Sequence, residues 1–123
     1  MKLSEDFNAG TQVINGYDET SITINEHTFT HSLLVSNYRL ITDWPVKEMS
    51  DFCNQSLQPI FELQPEVIII GTGRNIQFPR PEHYSSAINK GIGIEFMDTG
   101  AACRTYNILL SENRKVVAGI ILG

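Results

Sequence analysis

The sequence is poor in the residues from which catalytic and metal sites are most often built. It has only 2 cysteines, Cys53 and Cys103, and 3 histidines. Two cysteines so far apart match neither the short ligand spacing of a zinc site nor a disulfide framework. Free thiols are typical of a reducing compartment, and we therefore expect a cytoplasmic protein.

A surplus of basic residues and a long apolar run are also missing. The chain has 9 lysine and arginine residues against 14 acidic residues, which leaves a net charge of −5. Because nucleic-acid-binding proteins usually present a basic face, that role is not expected. No apolar stretch approaches the roughly 20 residues that span a bilayer, so membrane insertion is not expected either. Residues 1–8 contain neither an apolar signal core nor an arginine-rich presequence, which argues against secretion and mitochondrial import.

What the chain does contain is the composition of one folded domain. Of its 123 residues, 41% are hydrophobic and 19% are charged, as in soluble globular proteins. We predict a polar lead-in over residues 1–10 and a single α/β domain over residues 11–123. No oligomeric state follows from the sequence.

The N-terminal part of this domain has the pattern of short strands. Polar and apolar residues alternate from Thr20 to Asn25, which favours a strand with one buried face. Asn25-Glu26 and Asn15-Gly16 are turn signals. The predicted strands are 20–25, 27–30, 32–36 and 39–42.

Helical spacing appears further along the chain. Apolar residues recur on one helical face at Met49, Phe52, Cys53 and Leu57. They predict a helix over residues 46–57, which Pro59 should end. Pro81 suits the first turn of a second helix and Gly91 suits its C-terminal cap. A third helix is predicted over residues 99–111.

Three strands in the second half are mostly apolar on both faces. They are Val67–Ile70, Ile92–Phe96 and Val116–Leu122. Such strands belong in the interior of a sheet that is covered on both sides, and the segments between them are long enough for helical crossovers. We predict a three-layer α/β domain with a central mixed sheet. The N-terminal β-hairpin strands would form a separate layer or an edge extension.

The loop after the first of these strands is one half of the candidate site, because ligands of open α/β sheets bind at the carboxyl ends of strands. It reads Gly71-Thr72-Gly73-Arg74. Its glycines allow either a plain tight turn or a nest of N–H groups that holds an anion or a partner. A dinucleotide loop is not expected, because Ile76 stands where that fingerprint needs a glycine.

The other half is the start of the last helix. Asp98 and Thr99 both suit its N-cap. Asp-Thr-Gly also surrounds the catalytic residues of aspartic proteases, but that site needs two such loops and the chain has one. Cys103 follows in the helix, where the helix dipole and Arg104 both favour a thiolate nucleophile. The alternative is a buried structural thiol, since no histidine is placed beside it as a base.

Charged residues around these strand ends complete the candidate set. Glu95 interrupts an apolar strand, and a buried carboxylate needs a partner. We expect a structural ion pair with Arg74 or Arg104, or alternatively a charged cluster that faces a ligand. Arg80 and Lys90 are candidates for the same rim.

The histidines do not form a metal site. His27 and His31 would lie roughly 13 Å apart in an extended strand, so they cannot share one ion. No other cluster of ligands is present, and we predict neither a metal nor a cofactor.

Three segments carry a resemblance to a known family: Pro65–Gly73, Gly91–Glu95 and Met97–Asn107. The C-terminal two-thirds of the chain resembles a family of small uncharacterised proteins whose mitochondrial members include NADH dehydrogenase (complex I) assembly factor 3. The resemblance implies a three-layer α/β fold around a mixed sheet. It implies no catalytic residues, because the family has no established activity. Its mitochondrial member implies a role in the assembly of respiratory complexes.

Three functions compete for this sequence. The first is a non-enzymatic assembly or interaction protein with a protein partner. The second is a binder of a small anionic ligand, held by Gly71, Gly73, Arg74 and Arg104. The third is an enzyme that uses Cys103. We prefer the first, because a nucleophile or metal, a base and an orienting group are not assembled by any motif of the chain.

Overall fold

A five-stranded mixed sheet organises the protein. The structure, a computed structural model, describes residues 11–122, so the predicted lead-in over residues 1–10 lies outside the described residues. The strand order is β5-β4-β8-β6-β7, in which β8, β6 and β7 are parallel and β4 runs antiparallel to both of its neighbours. The strands are β4 (Leu33–Ser36), β5 (Leu40–Ile41), β6 (Val67–Gly71), β7 (Gly93–Met97) and β8 (Val116–Ile120).

A second, three-stranded antiparallel sheet is built by the N-terminal strands. Its order is β1-β2-β3, with β1 at Ile14–Tyr17, β2 at Ile22–Ile24 and β3 at His27–Phe29. The predicted turn at Asn25-Glu26 is confirmed, and both residues have positive φ angles of 47° and 76°. The predicted turn at Asn15-Gly16 was wrong. These residues lie inside β1, where the register against β2 shifts between Ile14 and Gly16 as in a β-bulge.

Two apolar cores lie on opposite faces of the large sheet and make the fold three-layered. On one face, Ile69, Ala118 and Leu33 pack against the small sheet and the helix α3 (Thr99–Ser111). On the other face, Ile68, Val117 and Leu34 pack against Trp44, Phe52 and the short helices. The predicted α/β class with a central mixed sheet and N-terminal hairpin strands is therefore confirmed.

Two of the three predicted helices have the expected position. Residues Thr99–Ser111 form α3, as predicted. Pro81 opens a 3-10 turn that leads into α2 (Ser85–Asn89), and Gly91 follows with a φ of 71°, as a C-terminal cap requires.

The helix predicted over residues 46–57 was wrong. Two separate 3-10 turns occupy this segment, Met49–Asp51 and Asn54–Leu57, because side chains close each turn locally. Asp51 Oδ2 accepts hydrogen bonds from the N–H groups of Lys47 (3.1 Å) and Glu48 (3.3 Å). Pro59 does not end a helix but lies in the first turn of α1 (Gln58–Phe61), where a missing N–H costs nothing.

The three apolar strands are adjacent in one sheet, as predicted, but they are not all interior. β8 and β6 are central and buried, whereas β7 is an edge strand. Gly93 and Glu95 of β7 are exposed, while Phe96 on the opposite face is buried. An apolar run therefore located this strand correctly and its depth in the sheet incorrectly.

Candidate functional site

The two predicted strand ends meet at one edge of the sheet. Gly73 and Thr99 exchange two hydrogen bonds: Thr99 N donates to Gly73 O (2.8 Å), and Gly73 N donates to Thr99 Oγ1 (3.1 Å). Thr72 N also donates to Met97 O over 2.7 Å. The loop after β6 and the start of α3 are therefore in direct contact, as expected for neighbouring parallel strands.

The glycines of the first loop are needed for packing and for backbone conformation. A Cβ on Gly71 would lie 3.1 Å from Ala102 Cβ and 3.1 Å from Ile120 Cδ1, so the glycine lets α3 approach β6 closely. Gly73 has a φ of 108°, which side-chain-bearing residues rarely adopt. These requirements support the interpretation of the loop as a tight turn.

Thr72 holds the rest of the loop in place. Its side chain is buried, and Oγ1 donates to Asn75 O (2.8 Å) while it accepts from Gln77 N (3.0 Å). The hydroxyl of Thr72 and the N–H of Gly73 are thus both used inside the protein. A nest of free donors for an anion is not formed by these two groups.

Asp98 is the N-cap of α3. Its Oδ1 accepts a hydrogen bond from Ala101 N over 2.9 Å, which satisfies one of the free donors of the first turn. Thr99, the other candidate, is buried and serves the contact with Gly73 instead. Capping accounts for Asp98 without a catalytic role.

The expected ion pair of Glu95 is not formed, because both arginines contact the β1–β2 hairpin instead. Arg74 forms a salt bridge with Glu19, and the two side chains are 67% and 61% exposed. Arg104 Nη1 donates to Tyr17 Oη over 2.5 Å. Glu95 is exposed on the outer strand β7 and therefore needs no buried partner. The predicted ion pair was wrong for this reason.

A cleft of about 240 Å³ lies between the hairpin and the two strand ends. Its walls carry three carboxylates, those of Asp18, Glu19 and Asp98, against the single cation of Arg74. Asp18 accepts hydrogen bonds from the backbone N–H of Thr20 and from the hydroxyl of Ser21. These bonds lower the pKa of Asp18, so this carboxylate stays ionised. Since the acidic groups outnumber Arg74 within the cleft, its charge disfavours the small anionic ligand.

Cys103 is buried on the core face of α3, with a relative exposure of 1%. Burial raises the pKa of its thiol to about 12, and the opposing effect of the Arg104 charge is smaller. Desolvation thus outweighs the helix position that made a thiolate plausible. The predicted burial of Cys103 is confirmed, and a protonated thiol in this position is a poor nucleophile.

The remaining charged and histidine candidates do not join the cleft. Lys90 lies before β7 and places Nζ 5.0 Å from the centre of the Phe61 ring. Arg80 and His83 border a separate hollow of about 320 Å³ beside Phe78. Across residues 11–122, no group of three or more histidine, cysteine or acidic residues is placed to hold a metal ion.

Sequence reasoning missed the contribution of the β1–β2 hairpin and of the loop after Arg74. Tyr17, Asp18 and Glu19 line the cleft although they are far in sequence from Arg74 and Asp98 on its other walls. The Asp18–Ser21 turn, in which an aspartate precedes threonine and serine, was a readable signal for an Asx turn. Ile76 and Phe78 are 49% and 73% exposed. Their apolar character alone would have predicted that both are buried.

The family follows from a match over most of the chain. Residues 14–121 match the family described as "Protein of unknown function (DUF498/DUF598)". The chain belongs to this family. The crystal structure of a protein from Bordetella parapertussis is similar to this chain, with a TM-score of 0.87 at 34% identity over 93% of this chain and 98% of that one.

Two relatives of the chain carry different names. One from Danio rerio, "NADH dehydrogenase [ubiquinone] 1 alpha subcomplex assembly factor 3", is 32% identical over 97% of this chain and 68% of its own length. A Francisella tularensis protein named "13 kDa major membrane protein" is 28% identical over 98% of this chain and 99% of its own length. Within residues 11–122, this chain has no helix long and apolar enough to cross a membrane.

Proposed function

We propose that this member of the DUF498/DUF598 family is a non-enzymatic assembly protein that acts by binding a protein partner. The observation that carries the proposal is a pair of exposed apolar side chains in the loop after β6. Ile76 and Phe78 project from the segment between β6 and α2 and are 49% and 73% exposed. Names of relatives as assembly factors support the same class of function.

The part of the loop that precedes Phe78 is held by two side-chain hydrogen bonds, which suits it to binding a protein partner. Thr72 Oγ1 donates to Asn75 O and accepts from Gln77 N, so residues 72–77 lose less conformational entropy on binding than an unbonded loop would. Arg80, His83 and Met49 border the hollow beside Phe78. Aromatic residues, arginine and methionine are the types enriched in protein–protein interfaces. We refer to Ile76, Phe78 and Arg80 as the loop surface.

The buried thiol supports binding rather than catalysis. Cys103 was the best nucleophile candidate, and its raised pKa keeps it protonated at neutral pH. Turnover by the purified protein that disappears in a Cys103→Ala variant would overturn the proposal.

The proposal is tested by recovering the partner from the native host with wild-type and variant chains. Phe78→Ser removes the most exposed aromatic of the loop surface, and we expect recovery to fall about tenfold or more, as for a central interface aromatic. Tyr38→Ser is the matched control, because Tyr38 is 57% exposed in the turn between β4 and β5. Equal recovery by all three chains, or equal loss in both variants, would contradict the loop surface as the binding site.

The assembly role and the location are tested in the same host. We propose that the partner belongs to a respiratory NADH dehydrogenase and that the chain acts in the cytoplasm, which its two free cysteines support. Deletion of the gene should lower the amount of assembled complex on native gels, and Phe78→Ser should reproduce the defect. Fractionation should recover the chain without detergent. A normal level of complex in the deletion strain would refute the assembly role.

A further inference from the structure

The strand β7 leaves one long edge open. It pairs with β6 on one side, and no strand within residues 11–122 pairs with the other side. The edge strands β5 and β3 have only 2 and 3 residues, whereas β7 has 5. β1 has 4 residues, and both backbone groups of Ile14 are taken by Asn107, which accepts from Ile14 N (3.1 Å) and donates to Ile14 O (2.7 Å). β7 is thus the longest unpaired edge in the described part of the chain.

Apart from the charge of Glu95, the usual devices that block an edge are absent from β7. It contains neither proline nor lysine, and its register against β6 runs without a bulge from Val67–Gly93 to Gly71–Met97. Gly93 is exposed, and the nearest atom to a Cβ built on it is Val67 Cγ2 at 4.0 Å. The backbone of another strand can therefore approach this edge closely.

Glu95 is the charged side chain that such a strand would meet. It is exposed at the centre of β7 and has neither a hydrogen bond nor an ion pair among the residues that the structure describes. Ile94 and Phe96 face the opposite side, where the Phe96 ring centre lies 5.0 Å from that of Tyr84. One carboxylate thus dominates the exposed face of the strand.

This carboxylate disfavours a second copy of the same chain as the occupant. Two β7 strands paired around their centres would bring two Glu95 side chains to within roughly 5 Å, where like charges destabilise the pair. The net charge of −5 on each chain adds repulsion between copies. A different partner strand with a basic side chain opposite Glu95 avoids the repulsion between two Glu95 carboxylates and is attracted to this carboxylate instead.

We propose that the edge of β7 binds an extended basic segment of a partner protein by strand addition, with a lysine or arginine of that segment beside Glu95. The inference rests on the proposed function, which supplies the partner. Main-chain hydrogen bonds along Gly93–Met97 provide most of the affinity, and Glu95 selects the charge of the segment. The loop surface and the β7 edge are separate elements that the partner contacts independently.

A charge exchange between protein and peptide tests the proposal. The probe is a short capped peptide of alternating valine and threonine with a central lysine, and the matched probe carries glutamate instead. Amide chemical shifts of the wild-type chain should move at Gly93–Met97 on titration with the lysine peptide. We expect its Kd to be about tenfold lower than that of the glutamate peptide. Glu95→Lys should reverse the preference.

Several outcomes would overturn the inference. Shifts away from β7 would show that the peptide binds elsewhere on the protein. Equal binding of both peptides, or no reversal in Glu95→Lys, would show that Glu95 does not select the charge of the segment. Sedimentation of the wild-type chain as a dimer with protected β7 amides would assign the edge to a second copy. Urea denaturation checks the fold of Glu95→Lys, and a midpoint equal to that of the wild type shows that the fold is kept. If the peptide titration fails but Phe78→Ser still loses the partner, strand addition alone is refuted. If Phe78→Ser keeps the partner, the loop surface is refuted as the binding site.

Discussion

Gly73 and Thr99 join the carboxyl ends of β6 and β7 through two hydrogen bonds of 2.8 and 3.1 Å. One of them uses the side-chain oxygen of Thr99, whose residue is only 6% exposed. Since the helix α3 begins at this residue, the pair fixes the helix start against the loop. The contact is therefore structural, and it occupies both backbone groups of Gly73 together with the N–H and the side-chain oxygen of Thr99.

Replacement of Thr99 by valine tests the strength of this contact. The substitution keeps the side-chain shape and leaves Gly73 N–H without its partner. We expect the free energy of unfolding to fall by about 0.5–1.5 kcal/mol, the net contribution of one hydrogen bond, because the Gly73 N–H is only partly buried. Urea denaturation measures the change. Thr105→Val on the same helix is the control, because Thr105 is partly exposed, and a similar loss there would contradict the specific role of Thr99.

Gly119 lets the Trp44 ring pack directly against the backbone of β8 in the second core. A Cβ at this position would lie 2.8 Å from Trp44 Cη2, a distance that real Cβ atoms do not show. Gly119→Ala should therefore destabilise the fold by about 1–3 kcal/mol and shift the fluorescence of the single tryptophan. Gly16→Ala is the matched control in β1, where no atom lies within 4 Å of the added carbon. Equal effects of the two alanines would count against the ring contact.

The strands and the long helix could be predicted because their signals are local. Apolar runs marked β6, β7 and β8, and the Asp98 cap together with the apolar spacing marked α3 to its observed ends. The segment 46–57 misled because two 3-10 turns can bury Phe52 and Leu57 as effectively as one helix. Helical periodicity reports which residues are buried and not which hydrogen bonds connect the turns.

The partners of the charged residues could not be predicted for a different reason. Glu19 and Tyr17 reach Arg74 and Arg104 across a large separation in sequence, through the packing of one sheet on another. Neither pattern nor spacing encodes that contact. Glu95 shows the same limit, because its strand is apolar enough for a central position and nevertheless lies at the edge.

The salt bridge between Arg74 and Glu19 should contribute little to stability. Both side chains are more than half exposed, so water and salt screen their attraction. We expect Arg74→Ala to change the free energy of unfolding by less than about 1 kcal/mol, with the difference reduced further at high salt. A pair with a buried Glu95 would instead lose about 3–5 kcal/mol when broken. A loss of that size in urea titrations would restore the buried ion pair.

Cys103 and Tyr106 should make the fold sensitive to alkali. Burial raises the pKa of Cys103 from 9.0 to about 12 and raises the pKa of Tyr106 above its ordinary value. Both groups must stay protonated in the folded state, whereas the unfolded chain releases their protons at the ordinary values. The stability from the protonated thiol is therefore fully present below pH 9 and is lost as the pH rises from 9 towards 12.

The expected result is a fall in the free energy of unfolding of up to about 1.4 kcal/mol per pH unit for the thiol above its unfolded pKa. Urea titrations between neutral pH and the alkaline range measure the slope, and Cys103→Ala provides the comparison. The alanine variant is less stable at every pH because it leaves a small cavity, but its slope should be shallower by the thiol's share. Tyr106 contributes to both chains alike, so it cancels in the difference. Parallel slopes for the two chains would mean that Cys103 ionises equally in the folded and unfolded states, and the nucleophile hypothesis would regain its support.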